Sequence, residues 1–362
     1  MYSFFGIPTV VNLKSSVYKT LLLNELETYN DDTDHATIEI TDDWSSFDSK
    51  LVANNPSHHY YFADAIYFKG TQIEVAFVFD TAKQLKKVYF KLLIAPNWYR
   101  KILRKWLNIQ FTNRVENIGQ IFHEHVLVPM TFFSADLAPI HASGFSLNSK
   151  SNLLGGTGGT GKTTLELEFC LNKNAAFITD DIAIISQKGE IYPNYNYPKI
   201  YGYNLVGNKN LKDRVLKKEP FFGKIHWFLH RKIFGLSKVR RKISPFVLFE
   251  NVNTHPSKLT NYNILSKNDC KEISKTKLDI ETISKMTVEV ILTEYSYFFN
   301  HIHWHAFNAL SMGNKPITTT EYLEKKWLEI LSTSFDNTEN YLLSIPFDIS
   351  HDEFKKQMNS HL

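Results

Sequence analysis

Apolar and polar residues alternate along much of the first third of the chain. The alternating stretches are rich in β-branched and aromatic residues, and they cover residues 37–41, 60–68, 72–80 and 87–93. Such alternation is typical of strands that bury one face. Lys69 and Gly70 separate the second stretch from the third and predict a hairpin turn. We therefore expect a small N-terminal α+β domain over residues 1–135.

Helical periodicity follows these strands. In residues 97–109, Trp98, Ile102 and Trp106 fall on one helical face, and Arg and Lys residues occupy the others. Residues 114–133 predict a second helical stretch that leads toward the middle of the chain.

The pattern changes near Asp136. Strand candidates cover 137–147, 151–156, 175–179 and 181–186, with a helix predicted over 162–171 between the second and the third. This order of strand, loop, helix and strand is typical of α/β nucleotide-binding cores. The predicted fold is therefore α/β, with a mixed sheet around the glycine-rich loop in a second domain over residues 136–362.

Composition limits the alternatives. Hydrophobic residues make up 43% of the 362 positions, which is typical of globular proteins and not of disordered or fibrous ones. Cys170 and Cys270 are the two cysteines, too few for a disulfide framework, so we expect a reducing, cytoplasmic location. The N-terminal residues do not resemble a secretory signal, and no run of about 18 apolar residues predicts a membrane span.

The segment GGTGGTGKTT contains the phosphate-loop pattern GxxxxGK[ST] between a predicted strand and a predicted helix. Glycines allow successive backbone N–H groups to converge on phosphate oxygens, and the helix adds the positive end of its dipole. In this pattern Lys162 reaches the β- and γ-phosphates, and the Thr163 hydroxyl can ligate Mg²⁺. The predicted nucleotide-binding residues are Gly156, Thr157, Gly158, Gly159, Thr160, Gly161, Lys162, Thr163 and Thr164.

Two adjacent acids, Asp180 and Asp181, lie between two apolar stretches downstream of this loop. One carboxylate can hold Mg²⁺ while the other accepts the proton of an incoming hydroxyl. The alternative is that the pair makes only a polar turn between strands. The sequence leaves open which acid would have which role.

Residues 141–185 resemble the nucleotide-binding core of the HPr kinase/phosphorylase family. The resemblance consists of His141 on the strand before the loop, the GxxxxGK[ST] loop, and the acidic pair after an apolar strand, in that order. The segment GTGKTTL is also similar to the ATP-binding loop of phosphoenolpyruvate carboxykinases. The family's arginine-bearing C-terminal signature is not found in this sequence, so the resemblance does not extend to phosphorylase activity or to HPr as the substrate.

The resemblance implies roles for individual residues. Lys162 would bind phosphate, Thr163 would bind the metal, and Asp180 and Asp181 would divide the metal-binding and general-base roles. His141 would lie close to the transferred phosphoryl group, although a strand histidine can also serve only in packing. The implied ligands are ATP and Mg²⁺, and the family makes a homo-oligomer an expectation.

His301, His303 and His305 could in principle bind zinc, because they share a face on a strand, and the first and last share one on a helix. The surrounding sequence is apolar and offers no acidic or cysteine ligand nearby, which favours packing.

Basic residues are concentrated between residues 209 and 242. This segment holds twelve Lys or Arg and two acids, a net charge of +10, and the rest of the chain has 29 basic and 35 acidic residues, a net charge of −6. Its apolar residues Ile225, Phe228, Leu229, Ile233 and Leu236 lie near one helical face. Three interpretations compete: a solvated helix packed on its own core, a helix on an anionic membrane surface, and a clamp for an acidic partner. Nucleic-acid binding is a weaker form of the third, because no nucleic-acid module accompanies the charge.

These features predict an ATP- and Mg²⁺-dependent kinase that transfers the γ-phosphoryl group to a hydroxyl of a protein serine or of a small molecule. The alternative is a nucleotide-binding switch, or an accessory subunit of a biosynthetic pathway, in which ATP orders the basic segment with little turnover. An intact acidic pair favours the enzyme.

Overall fold

The structure is a computed structural model that describes residues 1–31, 35–93, 114–217 and 221–362. The chain divides into two compact units. Of the described residues, the first unit comprises 1–31, 35–93, 118–139 and 291–331, and the second comprises 114–117, 140–217, 221–290 and 332–362. One of the boundaries between the two units follows Pro139. The return of residues 291–331 to the first unit was not predicted.

The first unit is built on a mixed sheet with strand order β1-β2-β3-β8-β7-β6-β5-β4. Pairing is antiparallel from β8 to β4, and it is parallel where β3 joins β2 and β8. The strands are β1 (Tyr2–Phe4), β2 (Ile7–Asn12), β3 (Ile38–Thr41), β4 (Leu51–Asn54), β5 (Tyr60–Phe62), β6 (Ala65–Lys69), β7 (Ile73–Phe79) and β8 (Leu85–Leu92).

Helices of the first unit contribute aromatic side chains to its core. Phe298 contacts the rings of Phe68 and Phe77 on the sheet and that of Phe132. Edge-to-face pairs of this kind add to the free energy gained by burying the rings. The helices are α1 (Ser16–Leu26), α2 (Arg114–Phe122), a π-helical turn (His123–Leu127), α3 (Val128–Thr131), α9 (Ser296–Ser311) and α10 (Thr320–Ser334), and α2 and α10 each contain a unit boundary.

The second unit contains a mixed sheet in which β12, β10, β11, β17, β14 and β13 are neighbours in that order. β11 pairs antiparallel with β10 and parallel with β17, which in turn pairs parallel with β19. A separate antiparallel pair is formed by β15 and β16. The strands are β9 (Leu137–Ile140), at the unit boundary, β10 (Ala142–Leu147), β11 (Lys150–Gly155), β12 (Ala176–Thr179), β13 (Ala183–Ser186), β14 (Glu190–Tyr192), β15 (Lys199–Tyr201), β16 (Arg240–Lys242), β17 (Ser257–Asn268), β18 (Ser274–Lys277) and β19 (Glu339–Pro346).

The helices of the second unit surround this sheet. Phe145, Leu165, Phe169 and Phe177 belong to one buried cluster that joins the sheet to the helix after the glycine-rich loop. The helices are α4 (Lys162–Asn172), α5 (Lys209–Leu216), α6 (Phe221–Phe234), α7 (Pro245–Leu248), α8 (Ile280–Glu294), which ends in the first unit, and α11 (His351–His361). None of the helices within the described ranges is long and apolar enough to cross a membrane.

The expected mixed α/β organisation is present, and several local expectations need correction. The stretch 137–147 forms two strands, β9 and β10, separated at His141, instead of one. Residues 60–68 likewise form β5 and β6. The connection between β10 and β11 is a two-residue hairpin turn whose residues Asn148 and Ser149 both have positive φ, as a type I′ turn requires. The helix predicted over 97–109 lies outside the described residues.

The basic segment contains the predicted helix, α6. This helix does not pack on the core through its apolar face. The residues of α6 that are buried are Gly223, His226, Trp227 and His230. The large apolar side chains of Phe228 and Ile233 are exposed. The periodicity was detected correctly, but periodicity does not show which face meets the core.

Candidate functional site

The glycine-rich loop joins β11 to α4 in the second unit. β11 is a central strand of the sheet, and the loop begins at its C-terminal end and leads directly into the helix. Gly156 has φ of 119°, and a Cβ at this position would lie 2.4 Å from the backbone oxygen of Leu265. Both the left-handed backbone and the lack of space exclude a side chain there. A Cβ on Gly158 or Gly159 would have nothing within 4 Å of it, so this part of the loop is open.

The end of the loop packs against the last helix of the unit. Gly161 precedes α4 with φ of 103°, and a Cβ on it would lie 2.6 Å from the ring of Phe354 in α11. Phe354 is buried in the same apolar cluster as Leu165. The close approach of ring and backbone fixes the N-terminus of α4, where unpaired N–H groups and the helix dipole favour an anion.

The side chain of Lys162 lies inside the curve of the loop. Its ammonium donates to the backbone oxygens of Gly156, at 2.6 Å, and Thr157, at 2.8 Å. The Thr160 hydroxyl donates to the same Thr157 oxygen at 3.1 Å. The loop therefore encloses a cation at the place where the sequence motif predicts phosphate.

Asp180 connects the acidic pair to the loop. Its Oδ1 accepts hydrogen bonds from the Thr163 hydroxyl at 3.0 Å and from the Ser143 hydroxyl at 2.9 Å. Its Oδ2 accepts from the backbone N–H of Lys199 at 3.2 Å. The carboxylate is thus oriented by partners from β10, α4 and β15.

Asp181 has different partners because its backbone turns away. Its φ is 75°, in the left-handed region that aspartate tolerates better than most residues. Its carboxylate forms an ion pair with the Lys199 ammonium at 2.5 Å. Although burial opposes ionisation, the Lys199 ammonium, with further contributions from His141 and Lys162, holds the pKa of Asp181 well below its usual range. The two adjacent acids are therefore not equivalent, which a simple polar turn would not require.

His141 lies between β9 and β10, beside the start of the loop, because its neighbour Ala142 pairs with Gly155. Its side chain is buried, and burial together with the charges of Lys162 and Lys199 lowers its pKa to about 4, against an opposing effect of Asp181. The imidazole is therefore neutral at pH 7. The second unit thus brings His141, Lys162, Thr163, Asp180 and Asp181 together.

Thr164, the last of the predicted nucleotide-binding residues, is directed elsewhere. It is buried, and its hydroxyl lies 3.4 Å from the side-chain amide of Asn204, which donates to it. Its contact is with the 3₁₀ turn over residues 202–205.

Glu166 is a site residue that the sequence interpretation missed. It lies one helical turn after Lys162 and is completely buried, with Ser143 and Asp180 beside its carboxyl group. Burial, reinforced by the negative charge of Asp180, raises its pKa well above the ordinary value. These effects favour the neutral form of this carboxyl group behind the acidic pair. The sequence does contain a signal for this burial: helical spacing places Glu166 among the apolar residues of α4 that face the core.

Lys199 was also missed. It comes 18 residues after Asp181, on β15, which pairs with β16 of the basic segment so that Lys199 is opposite Lys242. No local motif surrounds it. Only the folded arrangement of β15 shows that this cation meets the acidic pair.

The oxygen atoms of Thr163 and Asp180 are suited to Mg²⁺. Hydroxyl and carboxylate oxygens are hard ligands, and Mg²⁺ is commonly held by one or two protein groups together with nucleotide phosphates and water. In the described parts of the chain no cluster of three or more His, Cys, Asp or Glu side chains could form an all-protein metal site. The donor set therefore fits a metal ion that arrives with a nucleotide better than one held permanently.

Comparisons with known proteins give little further information. No protein-family model matches the chain, and no curated protein matches it. Among solved structures, the HPr(Ser) kinase/phosphatase from Coxiella burnetii is similar over 62% of this chain and 95% of that chain, at 10% sequence identity and a TM-score of 0.19. A likeness at this level carries no argument, so the functional interpretation rests on the geometry of the site.

The three histidines of α9 have separate partners in the first unit. His301 lies with its Nδ1 3.1 Å from that of His59, and His305 accepts the backbone N–H of Ile317 through Nε2 at 3.2 Å. Burial lowers the pKa of both His301 and His305 to about 4. His303 Nε2 lies 3.4 Å from the Thr320 hydroxyl. Their contacts are those of packed and hydrogen-bonded helix residues.

A cavity of about 840 Å³ lies within the first unit and contains none of the predicted site residues. Lys326 lines it and donates to the backbone oxygens of Phe132 and Ser134, and burial lowers its pKa to about 8. A phosphate loop binds its ligand through exposed backbone amides and needs no enclosed apolar space, so a nucleotide site at the loop does not require such a cavity.

Proposed function

We propose that the protein is an ATP- and Mg²⁺-dependent kinase that transfers the γ-phosphoryl group to a hydroxyl of a protein serine or a small molecule. The observation that carries the proposal is that Asp180 accepts a hydrogen bond from Thr163, the loop hydroxyl, while the adjacent Asp181 forms an ion pair with Lys199. The arrangement separates one carboxylate beside the phosphate loop from a second one facing other partners, as phosphoryl transfer to a hydroxyl requires.

Lys162 and the loop amides would hold the triphosphate. On nucleotide binding, the Lys162 ammonium would exchange its contacts with the Gly156 and Thr157 oxygens for contacts with β- and γ-phosphate oxygens. A charge-assisted hydrogen bond is stronger than the neutral carbonyl contacts it replaces. The amides at the start of α4 would stabilise the same negative charge.

Thr163 and Asp180 would hold the metal ion. Their oxygens are already 3.0 Å apart, and Ser143 and the Lys199 N–H orient the carboxylate. Mg²⁺ bound there supplies charge neutralisation for the phosphates. Burial raises the pKa of Glu166 behind Asp180 and so favours its neutral form, which would add no further negative charge to the metal position.

Asp181 would accept the proton of the acceptor hydroxyl. An acceptor entering beside Asp181 would displace the Lys199 ammonium from the carboxylate. The carboxylate would then take the hydroxyl proton while the acceptor oxygen bonds to the γ-phosphorus and the bond from that phosphorus to the leaving ADP oxygen breaks. His141, neutral at pH 7, would donate one ring N–H to the transferred group without adding a charge that repels Lys162.

The proposal is tested by measuring ATP turnover with and without candidate acceptors. Purified protein is incubated with ATP and Mg²⁺, and ADP release and phosphorylated products are followed by mass spectrometry. The expected result is slow ADP formation in water that rises with a hydroxyl acceptor and is lost in Asp181→Asn. ATP binding without any turnover, for either protein or small-molecule acceptors, would contradict a kinase.

That contrary result would favour the second candidate, a nucleotide-binding switch or accessory subunit. The observation that favours it is the pairing of β15 with β16, which connects Lys199 at the acidic pair to the basic segment. Nucleotide binding at the loop could then alter the basic segment without chemistry. Hydrogen exchange in residues 221–242 that slows on addition of ATP, in the absence of turnover, would identify the switch.

A further inference from the structure

The outward face of α6 carries an unusual group of side chains. Five large apolar residues of this 14-residue helix are exposed to solvent: Phe221 (73%), Phe222 (68%), Phe228 (58%), Leu229 (38%) and Ile233 (67%). A surface helix ordinarily buries its apolar stripe and exposes polar residues. Here the arrangement is reversed, so the outward face is apolar without a covering element in the described part of the second unit.

The same helix exposes positive charge and no negative charge. Lys224, Arg231 and Lys232 are exposed, and α6 contains no Asp or Glu. At 100° per residue, Lys224 and Arg231 border the apolar group on one side, and Lys232 lies within it. We call these eight residues the outward face of α6.

The inward side of α6 is fixed by polar contacts. Arg241 of β16 is buried and donates to the ring Nδ1 of His226 at 3.0 Å, and its guanidinium lies 4.9 Å from the ring centroid of Trp227. If α6 were rotated to bury its apolar side, the buried Arg241 would lose its contacts with His226 and Trp227, which is costly for a buried charge. The helix is therefore held with its apolar side outward.

We propose that the outward face of α6 binds the surface of a lipid bilayer that contains anionic lipids. Helices with bulky apolar residues on one face and Lys or Arg beside them lie in the interface between head groups and acyl chains. The aromatic and aliphatic side chains would enter the acyl boundary, and the three cations would contact lipid phosphates or carboxylates. This inference is independent of the proposed kinase activity.

Charge distinguishes a bilayer from a second copy of this chain. Two copies joined through this face would bring two sets of three cations together with no acid from either helix, which is unfavourable in a desolvated contact. An anionic bilayer satisfies both the apolar and the charged part of the face. A bilayer also accepts individual apolar side chains without the complementary pockets that a protein partner would need.

Binding at this face would orient the functional site. α6 contacts β16 through Arg241 and His226, β16 pairs with β15, and Lys199 of β15 meets Asp181. The second unit therefore connects the lipid-binding helix to the acidic pair through one pair of strands.

The experiment is co-sedimentation of the full-length chain with liposomes, without nucleotide. Vesicles of phosphatidylcholine alone are compared with vesicles containing phosphatidylserine, at low and high salt. The variants are Phe228→Ser with Ile233→Ser, and Arg231→Glu with Lys232→Glu. The controls are Phe307→Ser with Leu310→Ser, which removes exposed apolar residues of α9, and Lys285→Glu with Lys325→Glu, which makes the same change in net charge elsewhere.

We expect the parent chain and both controls to bind anionic vesicles, more weakly at high salt, and each outward-face variant to bind at least about tenfold more weakly. Circular dichroism and ATP titration of each variant separate loss of the face from loss of folding. Absence of binding to anionic vesicles by the parent chain would overturn the proposal. So would equal binding by the outward-face variants, or a dimer that dissociates in Phe228→Ser with Ile233→Ser.

Discussion

The Thr163 hydroxyl donates a hydrogen bond to Asp180 Oδ1 at 3.0 Å, although 17 residues separate the two. One residue belongs to the glycine-rich loop motif and the other to the acidic pair, which the sequence suggested independently. Their contact joins two motifs into one site. It also gives the proposed roles of Asp180 and Asp181 an asymmetry that mutation can test.

Lys162→Ala is expected to weaken ATP binding by about 100-fold or more, because the ammonium that lies inside the loop curve is removed from a charge-assisted contact. Isothermal titration calorimetry with ATP and Mg²⁺ measures the dissociation constant. Lys150→Ala is the matched control, because Lys150 is exposed on β11 ahead of the same loop. Unchanged ATP affinity in Lys162→Ala would disprove the phosphate-loop interpretation.

Asp180→Asn and Asp181→Asn are expected to fail in different ways. Asp180→Asn should remove most of the Mg²⁺ dependence of nucleotide binding, because an amide is a poorer metal ligand than a carboxylate. Asp181→Asn should retain binding and slow transfer by about 10²-fold or more, because an amide cannot accept the proton. Nucleotide titrations at several Mg²⁺ concentrations and single-turnover rates measure the two effects. Equal, mild losses in both variants would favour the alternative interpretation, in which the acidic pair makes only a polar turn.

Lys199→Met is expected to change the pH dependence of transfer. In the parent chain, the Lys199 ammonium helps hold the pKa of Asp181 low against the effect of burial. Removing it raises that pKa, so the acid limb of the kcat/KM profile should move to higher pH. The depressed pKa also contributes stability that is present above the unfolded pKa of aspartate and lost as the pH falls through the folded pKa. The variant should lose this contribution.

A pH–rate profile of Lys199→Met measures the shift, and Lys188→Met provides the control, because Lys188 is exposed in a turn of the same unit. Profiles that coincide in the parent chain and Lys199→Met would show that the ion pair does not influence the proton acceptor.

Glu166→Gln is expected to stabilise the fold, and more so as the pH rises. Burial and the charge of Asp180 raise the pKa of Glu166 in the folded state. The folded chain therefore keeps a proton that the unfolded chain releases, and stability decreases as the pH rises above the unfolded pKa. Glutamine removes this cost, so Tm should rise by about 2 °C or more at pH 8 and by less at pH 5.

Differential scanning calorimetry at both pH values tests this expectation. Glu168→Gln is the matched control, because Glu168 lies on the same helix, is partly exposed and accepts a hydrogen bond from Asn172. A lower Tm for Glu166→Gln than for the parent chain at pH 8 would contradict this expectation.

The sequence predicted those parts of the site that depend on neighbours along the chain. The strand before the loop, the glycines, the helix beginning at Lys162 and the acidic turn all have local signals, and the structure places them as strand, loop, helix and turn. Their phosphate and metal roles stay predictions. The break of the predicted strand at His141 was not signalled, because both halves are apolar and favour extended structure.

Tertiary pairing determined what the sequence could not show. Lys199 reaches Asp181 only because β15 and β16 come together from positions about 40 residues apart. The orientation of α6 depends on Arg241, which holds His226 and Trp227 inward. Helical periodicity identifies the apolar face of α6, but it does not show whether that face is turned to the core or to solvent.

The contact of Gly161 with Phe354 makes the shape of the glycine-rich loop depend on a residue 193 positions downstream. Trimming of the chain after residue 350 would remove α11 and its ring while every letter of the loop motif remained. A genetic screen for loss of nucleotide binding would then return changes near the C-terminus that sequence alone would classify as remote. Conversely, a shortened form of this chain could keep the complete motif and still have a loop that does not bind nucleotide.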